Sequence, residues 1–380
     1  MVRRGRIAVA AAFAVHGAVT GSFATRIPWL QEHLHAGPGE LGLALLAPAV
    51  GSIVAMPMAG RLVHRLGGRA ATRWLLGLWA VMLAFPALAP DLPVLWVTLL
   101  VYGAVAGMGD VAMNAQGVVV EQRIGRSIMS GLHGMWSVGG LVGGAVGMLA
   151  AQARIDARIH LGAMAVVLLV VSVVTGRRLL DTRADEEQPA PPRFVLPSRS
   201  VLVIGLVGFC AVFGEAAAQD WCAVYLKQIT GASPGVAAGS FTAFAFTMAA
   251  GRLCGDLVVR RLGAVLTVRI SGALAALGGV LVVLSRTPVP AIAGFMLIGL
   301  GVAVVVPLVF AAAGNAAATP SEGVAGVATI SYTSGFIAPS AIGGIAAATS
   351  LSVSFALVAA LSAATMLGAG ALVRRPEATG

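Results

Sequence analysis

Charge is scarce in this chain. Only 11% of its 380 residues are Asp, Glu, Lys or Arg, against roughly 25% in soluble globular domains. Hydrophobic residues make up 58% and the mean hydropathy is +0.92, so a water-soluble fold is excluded and an integral membrane protein is implied. Lysine is scarcer still. With Lys227 the only one, a GxxxxGK phosphate loop cannot be written, and ATP-driven work is left without a nucleotide site. Cysteine is nearly absent too: Cys210, Cys222 and Cys254 all fall in predicted helices, which excludes a disulfide framework and makes them small packing residues. No cluster of nucleophile, base and orienting group is visible, so the chain is not expected to be an enzyme. "QEHLH" at 31–35 brings Glu32, His33 and His35 together in a loop, but without further ligands no metal site is expected.

What remains is long apolar runs. A bilayer core about 30 Å thick needs about 20 residues per helix, and twelve runs meet that need, near 7–27, 41–60, 70–89, 94–120, 131–151, 160–176, 201–223, 237–255, 265–284, 291–313, 326–348 and 352–373. His16 interrupts the first run, which reads as a retained helix rather than a cleaved leader. The expected fold is an all-α membrane protein. The net charge of +10 does not indicate nucleic acid, because its placement follows the membrane. If both termini are cytoplasmic, Arg26, Arg154, Arg158, Lys227 and Arg286 lie outside and all other Arg of the 25 basic residues lie inside, as the positive-inside rule requires.

Residues 176–200 form the one long polar segment, rich in Arg, acids and Pro, and read as a linker. It divides the chain into a first bundle at 1–176, a linker at 177–200 and a second bundle at 201–380. The halves repeat. "AGPG" at 36–39 returns as "ASPG" at 232–235, and "VHRLG" at 63–67 returns as "VRRLG" at 259–263. "MNA" at 113–115 pairs with "GNA" at 314–316, Glu121 with Glu322, and "GG" at 143–144 with "GG" at 343–344. Parallel repeats of six helices are a transporter plan with the substrate site between the halves.

The loop "GRLVHRLGGR" at 60–69 resembles the signature of the major facilitator superfamily between its second and third helices, and "GRLCGDLVVRRLG" at 251–263 resembles its second-half counterpart. His64 stands where that family usually has an acid, and Asp256 is displaced by several positions. "DVAMNAQGVVVEQ…MSGLHGMWSVGGLVGG" is similar to a bacterial branch of sugar-permease-like members related to the fucose/proton symporters. The resemblance implies the major facilitator fold and a carrier working by alternating access in a bacterial inner membrane, multi-pass, with both termini cytoplasmic. The function it implies is proton-coupled import of a sugar-like or other polar solute. The alternatives are a proton-coupled exporter of drugs or metabolites and a non-transporting sensor on a carrier scaffold. The expected partners are a small-molecule cargo and the lipid bilayer, with no nucleic acid and a monomeric chain. No bound cofactor is expected, since the proton gradient would supply the energy.

Polar residues inside apolar helices mark candidate sites, because a charge at mid-bilayer costs at least about 2.5–3.5 kcal/mol. At about 100° per residue, Asp110, Asn114, Gly117 and Glu121 share one face of the fourth helix. The seventh carries Glu215 and Gln219, the fifth His133 and Ser137, and the first His16 and Thr20. The expected substrate and proton pathway is therefore His16, Thr20, Asp110, Asn114, His133, Glu215 and Gln219. Glu215, near mid-helix, is expected to couple proton movement to cargo, with His16 or Asp110 as its partner. Glu121 and Glu322 are expected to pair with arginines of the inner loops as a cytoplasmic gate. It comprises Glu121 with Arg65 or Arg69, and Glu322 with Arg252 or Arg260, beside Asp256. Pro307 and Pro339 are expected to bend their helices.

Overall fold

The computed structural model describes residues 2–124, 128–180, 199–316 and 320–372. The first half holds α1 (Val2–Ala24), the short α2 (Ile27–His33), α3 (Pro38–Leu66), α4 (Gly68–Met82), α5 (Leu92–Ile124), α6 (Met129–Gln152) and α7 (Ala157–Gly176). The second half holds α8 (Arg199–Thr230), α9 (Pro234–Leu284), α10 (Pro288–Val302), α11 (Val305–Ala316), α12 (Pro320–Ala348) and α13 (Leu351–Gly368). There is no strand among the described residues. Helices suit this composition because each satisfies its own backbone hydrogen bonds, which hydrocarbon cannot do.

Among the described residues eleven helical stretches are long and apolar enough to cross a membrane, six in the first half and five in the second, and α12 is the remaining long helix of the second half. The runs at 237–255 and 265–284 are the two arms of α9, parted as expected by Gly263, whose φ of 76° is non-helical. The helices differ from the expected runs in one place. The run at 291–313 is divided into α10 and α11. That division falls at 303–304, where the ring of Pro307 would crowd the carbonyl four residues back. Pro339, by contrast, lies inside α12.

The sequence repeat is also a backbone repeat. Pro38 opens α3 and Pro234 opens α9. Gly67 has φ 79° and ψ 150°, and Gly263 has φ 76° and ψ 164°. Both glycines close the "RLG" motifs, where a left-handed corner admits glycine with little strain. His35 (φ 50°) and Gly231 (φ 63°) form a third matched pair of left-handed residues just before the two prolines.

The chain divides into two compact units, Met1–Gln188 with Ala232–Ala245, and Pro189–Gly231 with Phe246–Gly380. In the first unit, α1 and α6 pack backbone against backbone. A methyl group at Gly17 would lie 1.9 Å from the Trp136 carbonyl oxygen, and one at Gly21 would lie 2.2 Å from that of Gly140. Gly139 and Gly143 meet the Ala14 and Ala18 carbonyls at 1.9 and 2.3 Å in the same way. Spacing of four places these glycines on one stripe of each helix. α3 and α5 are joined similarly, with Gly51 under Leu100 and Gly103 under Pro48. The first turns of α9 belong to this unit because Gly235 and Gly239 fit against Gln152 and Met148 of α6.

The second unit is locked by aromatics. Tyr225, Phe295 and Phe355 meet edge to face with centroids 5.1–5.9 Å apart. Tyr225 Oη also donates to the Val282 carbonyl at 2.6 Å. One residue thereby ties α8 to α9, α10 and α13.

The α1–α6 seam yields a test. Gly17→Val should abolish most folded, monodisperse protein in detergent, since overpacking a close contact costs about 1–3 kcal/mol even where neighbours can shift, and here the neighbour is backbone. Gly162→Ala, with nothing within 4 Å of the added carbon, should leave the melting temperature unchanged. Fluorescence-detected size exclusion and a thermal melt read both.

Candidate functional site

In the first unit the polar side chains of three helices turn to one another. Trp136 Nε1 donates to His16 Nδ1 at 3.0 Å, and the His16 ring lies 4.0 Å from that of Trp79. Tyr102 stands 5.3 Å beyond Trp79, and Phe23 5.4 Å from Tyr102. His16 is buried while Trp136 is half-buried, so the imidazole fixes an indole that keeps a reachable face. His133 is exposed one turn before Trp136 and meets Phe13 edge to face at 5.2 Å. Thr20 spends its hydroxyl on the His16 carbonyl at 3.2 Å.

Asp110 and Asn114 form a unit within α5. The Asn114 amide donates to the Asp110 carbonyl at 2.8 Å and to its carboxylate at 3.2 Å. Both are half-buried. Gln116, placed off this stripe by helical geometry, is buried and donates to the Leu180 carbonyl at 3.0 Å, tying α5 to the turn after α7.

The second unit holds an ion pair that alters the expectation for Glu215. Arg252 Nη2 on α9 donates to Glu215 Oε1 on α8 at 2.8 Å, with side chains 24% and 18% exposed. Glu215 is therefore paired, and Arg252 is anchored on α8 as well as being a candidate for the loop region. Gln219 lies half-buried one turn further along α8. Next to it Asp220, also half-buried, supplies a second carboxylate that the sequence reading passed over. Two acids five residues apart in an apolar helix were the available signal.

Of the expected gate residues, Arg65, Arg69 and Arg260 are exposed. Glu121 is half-buried, and its Oε2 accepts from the Ile128 backbone N–H at 2.7 Å. It thus clasps the end of α5 to the start of α6. The side chains of Asp256 and Glu322 lie outside the described residues.

Arg26 was counted as a loop charge, yet it is only 3% exposed. Its Nε donates to His160 Nδ1 on α7 at 3.0 Å. Nearby, Arg158 lies 5.6 Å over the Trp29 ring and contacts His33 Nε2 at 2.6 Å. Two arginine–histidine contacts thus fasten the α1–α2 corner to the first turn of α7. His33 is engaged by an arginine there.

The profile of the Major Facilitator Superfamily matches residues 9–339. An uncharacterized MFS-type transporter of Yersinia pestis is 36% identical over 374 residues, spanning 96% of this chain and 94% of the relative. An uncharacterized transporter of Sinorhizobium fredii is 33% identical, spanning 93% and 94%. The membrane protein MosC of Rhizobium meliloti is 30% identical, spanning 90% and 84%. Among solved structures, a mutant of the nucleoside transporter NupG superposes with a TM-score of 0.77 at 11% identity, covering 97% of this chain and 99% of that one. An inward-facing bacterial homolog of the lysosomal transporter Spinster gives 0.68 at 12% identity, covering 96% and 95%.

The ion pair predicts coupled stability. Removing one member of a fully buried pair costs about 3–5 kcal/mol, and partial exposure reduces that here. Glu215→Gln and Arg252→Gln should each lower the melting temperature, and the double variant should lose clearly less than their sum. Strict additivity in this thermal double-mutant cycle would refute the pairing.

Proposed function

The chain belongs to the Major Facilitator Superfamily, and we propose that it is a secondary transporter importing a sugar-like or other polar solute with protons. The observation that carries this reading is the Glu215–Arg252 pair, a carboxylate and a guanidinium 2.8 Å apart inside the helices of one unit. A proton arriving on Glu215 cancels the charge that holds Arg252. Proton binding and a change of helix packing then become one event, the requirement for coupling by population shift. Asp220 offers a second carboxylate on the same helix.

Cargo chemistry follows from the lining. Trp136, held by His16, gives a flat apolar face, and the same unit also carries Asp110, Asn114 and His133, groups that match hydroxyls in kind. A solute with an apolar ring face and several hydroxyls suits both, as sugars do. The fold's likeness to a nucleoside transporter supports the same class, because a nucleoside joins a planar base to a sugar. In this reading the termini are cytoplasmic, in a bacterial inner membrane. The exposed Arg65, Arg69 and Arg260 then face the inner side and are the candidates for a gate there.

Uptake of labelled sugars, polyols and nucleosides into proteoliposomes tests the proposal. Acid outside should drive accumulation of at least one of them by the native protein. Glu215→Gln should still equilibrate that cargo but lose accumulation driven by the pH gradient. Full gradient dependence in the variant would move coupling elsewhere, and gradient-driven extrusion would overturn import.

A further inference from the structure

At the end of the first unit where α4 begins and α7 finishes, three arginines converge on a closely packed helix pair. The stem of Arg73 lies on Gly176, where a methyl group would stand 2.6 Å from Arg73 Cγ. Arg177 and Arg178 follow immediately and are both exposed. No ion pair is made by Arg73, Arg177 or Arg178 among the described residues. The Arg73 guanidinium lies 5.7 Å from the centroid of Trp74, whose side chain is 65% exposed.

Both helices continue from these arginines into apolar surface. On α4, Trp74 is followed one turn later by Leu78, and on α7, Val174 is preceded by Val170, all of them exposed. Deeper between the helices the packing is close, since a methyl group at Gly77 would lie 3.3 Å from Leu169 Cδ1. Guanidinium groups above a long apolar stripe, with an indole at the join, match a molecule whose charged phosphate sits above hydrocarbon tails. Trp prefers that interfacial level, and arginine binds phosphate oxygens through a fork of donors.

We infer that the α4–α7 end bearing Arg73, Trp74, Arg177 and Arg178 is a binding site for the headgroup of an anionic phospholipid. The two stripes carry its acyl chains, and the phosphate neutralises the arginines at this end of the helix pair. The site is separate from the Glu215–Arg252 pair and does not depend on what the carrier moves.

The test uses purified full-length protein, stripped of lipid in a neutral maltoside detergent. Phosphatidylglycerol should raise its melting temperature and appear as bound adducts in native mass spectrometry; phosphatidylcholine and inorganic phosphate should do neither. Basic residues near the surface attract anionic lipid electrostatically, so R73Q/R177Q/R178Q should weaken apparent phosphatidylglycerol binding by at least about tenfold. R261Q/R269Q, which removes two exposed arginines elsewhere, should bind as the native protein does. Equal weakening by both variants would reduce the effect to diffuse surface charge and overturn the site. A response to inorganic phosphate as large as that to phosphatidylglycerol would overturn a lipid as its occupant. If neutralising the linker acids Asp181, Asp185, Glu186 and Glu187 alone raised lipid binding to a new maximum, those acids would be the native occupant and the inference would fail.

Discussion

Inside a bilayer an apolar side chain gains little by choosing another helix over a lipid tail, so helices hold together only where their surfaces meet very closely. That constraint governs this protein. The glycine stripes of α1 and α6, and of α3 and α5, bring backbones to distances that no β-carbon would allow. Dispersion is collected along whole helices there, and the helix faces that carry function are fixed in rotation as a consequence. His16 sits one residue before Gly17, and Trp136 supplies the carbonyl that Gly17 meets. The hydrogen bond between the two side chains is thus set by the same contact that sets the seam.

The second unit has glycine contacts of its own, Gly278 against the Gly294 carbonyl and Gly301 against that of Ser271, and adds another device to them. Its lock is a triad of aromatic rings around Tyr225, whose hydroxyl bonds a neighbouring backbone carbonyl. Large rings fix geometry through area and edge-to-face electrostatics, whereas glycines fix it through proximity. The charged pair at Glu215 and Arg252 lies in the aromatic-locked unit, and the imidazole–indole pair in the glycine-locked one. A repeated fold has therefore been furnished with unlike chemistry in its two halves.

Much of the architecture was legible from the chain. Twelve runs, a division into sixes and the "RLG" repeats all survive in the structure, because each depends on local properties: hydropathy over about 20 residues, and a left-handed corner that favours glycine. The matched φ angles of Gly67 and Gly263 give the repeat a backbone meaning that letters alone suggested. The runs at 237–255 and 265–284 were legible as separate helices, and the non-helical Gly263 parts them. The break before Pro307 was not placed, although that proline was singled out.

The sequence by itself determined that the chain crosses a membrane, how often, and which helices carry polar residues, because those are sums over neighbours in the chain. Only the tertiary structure decided who meets whom. It paired Glu215 with Arg252, where His16 or Asp110 is the partner expected from the sequence, and it turned Arg26 inward onto His160 rather than out into a loop. It also gave Glu121 a backbone amide to hold. A charge in hydrocarbon must find a partner, and the partner lies on whichever helix the glycine and aromatic packing brings alongside. No spacing within a single helix contains that choice.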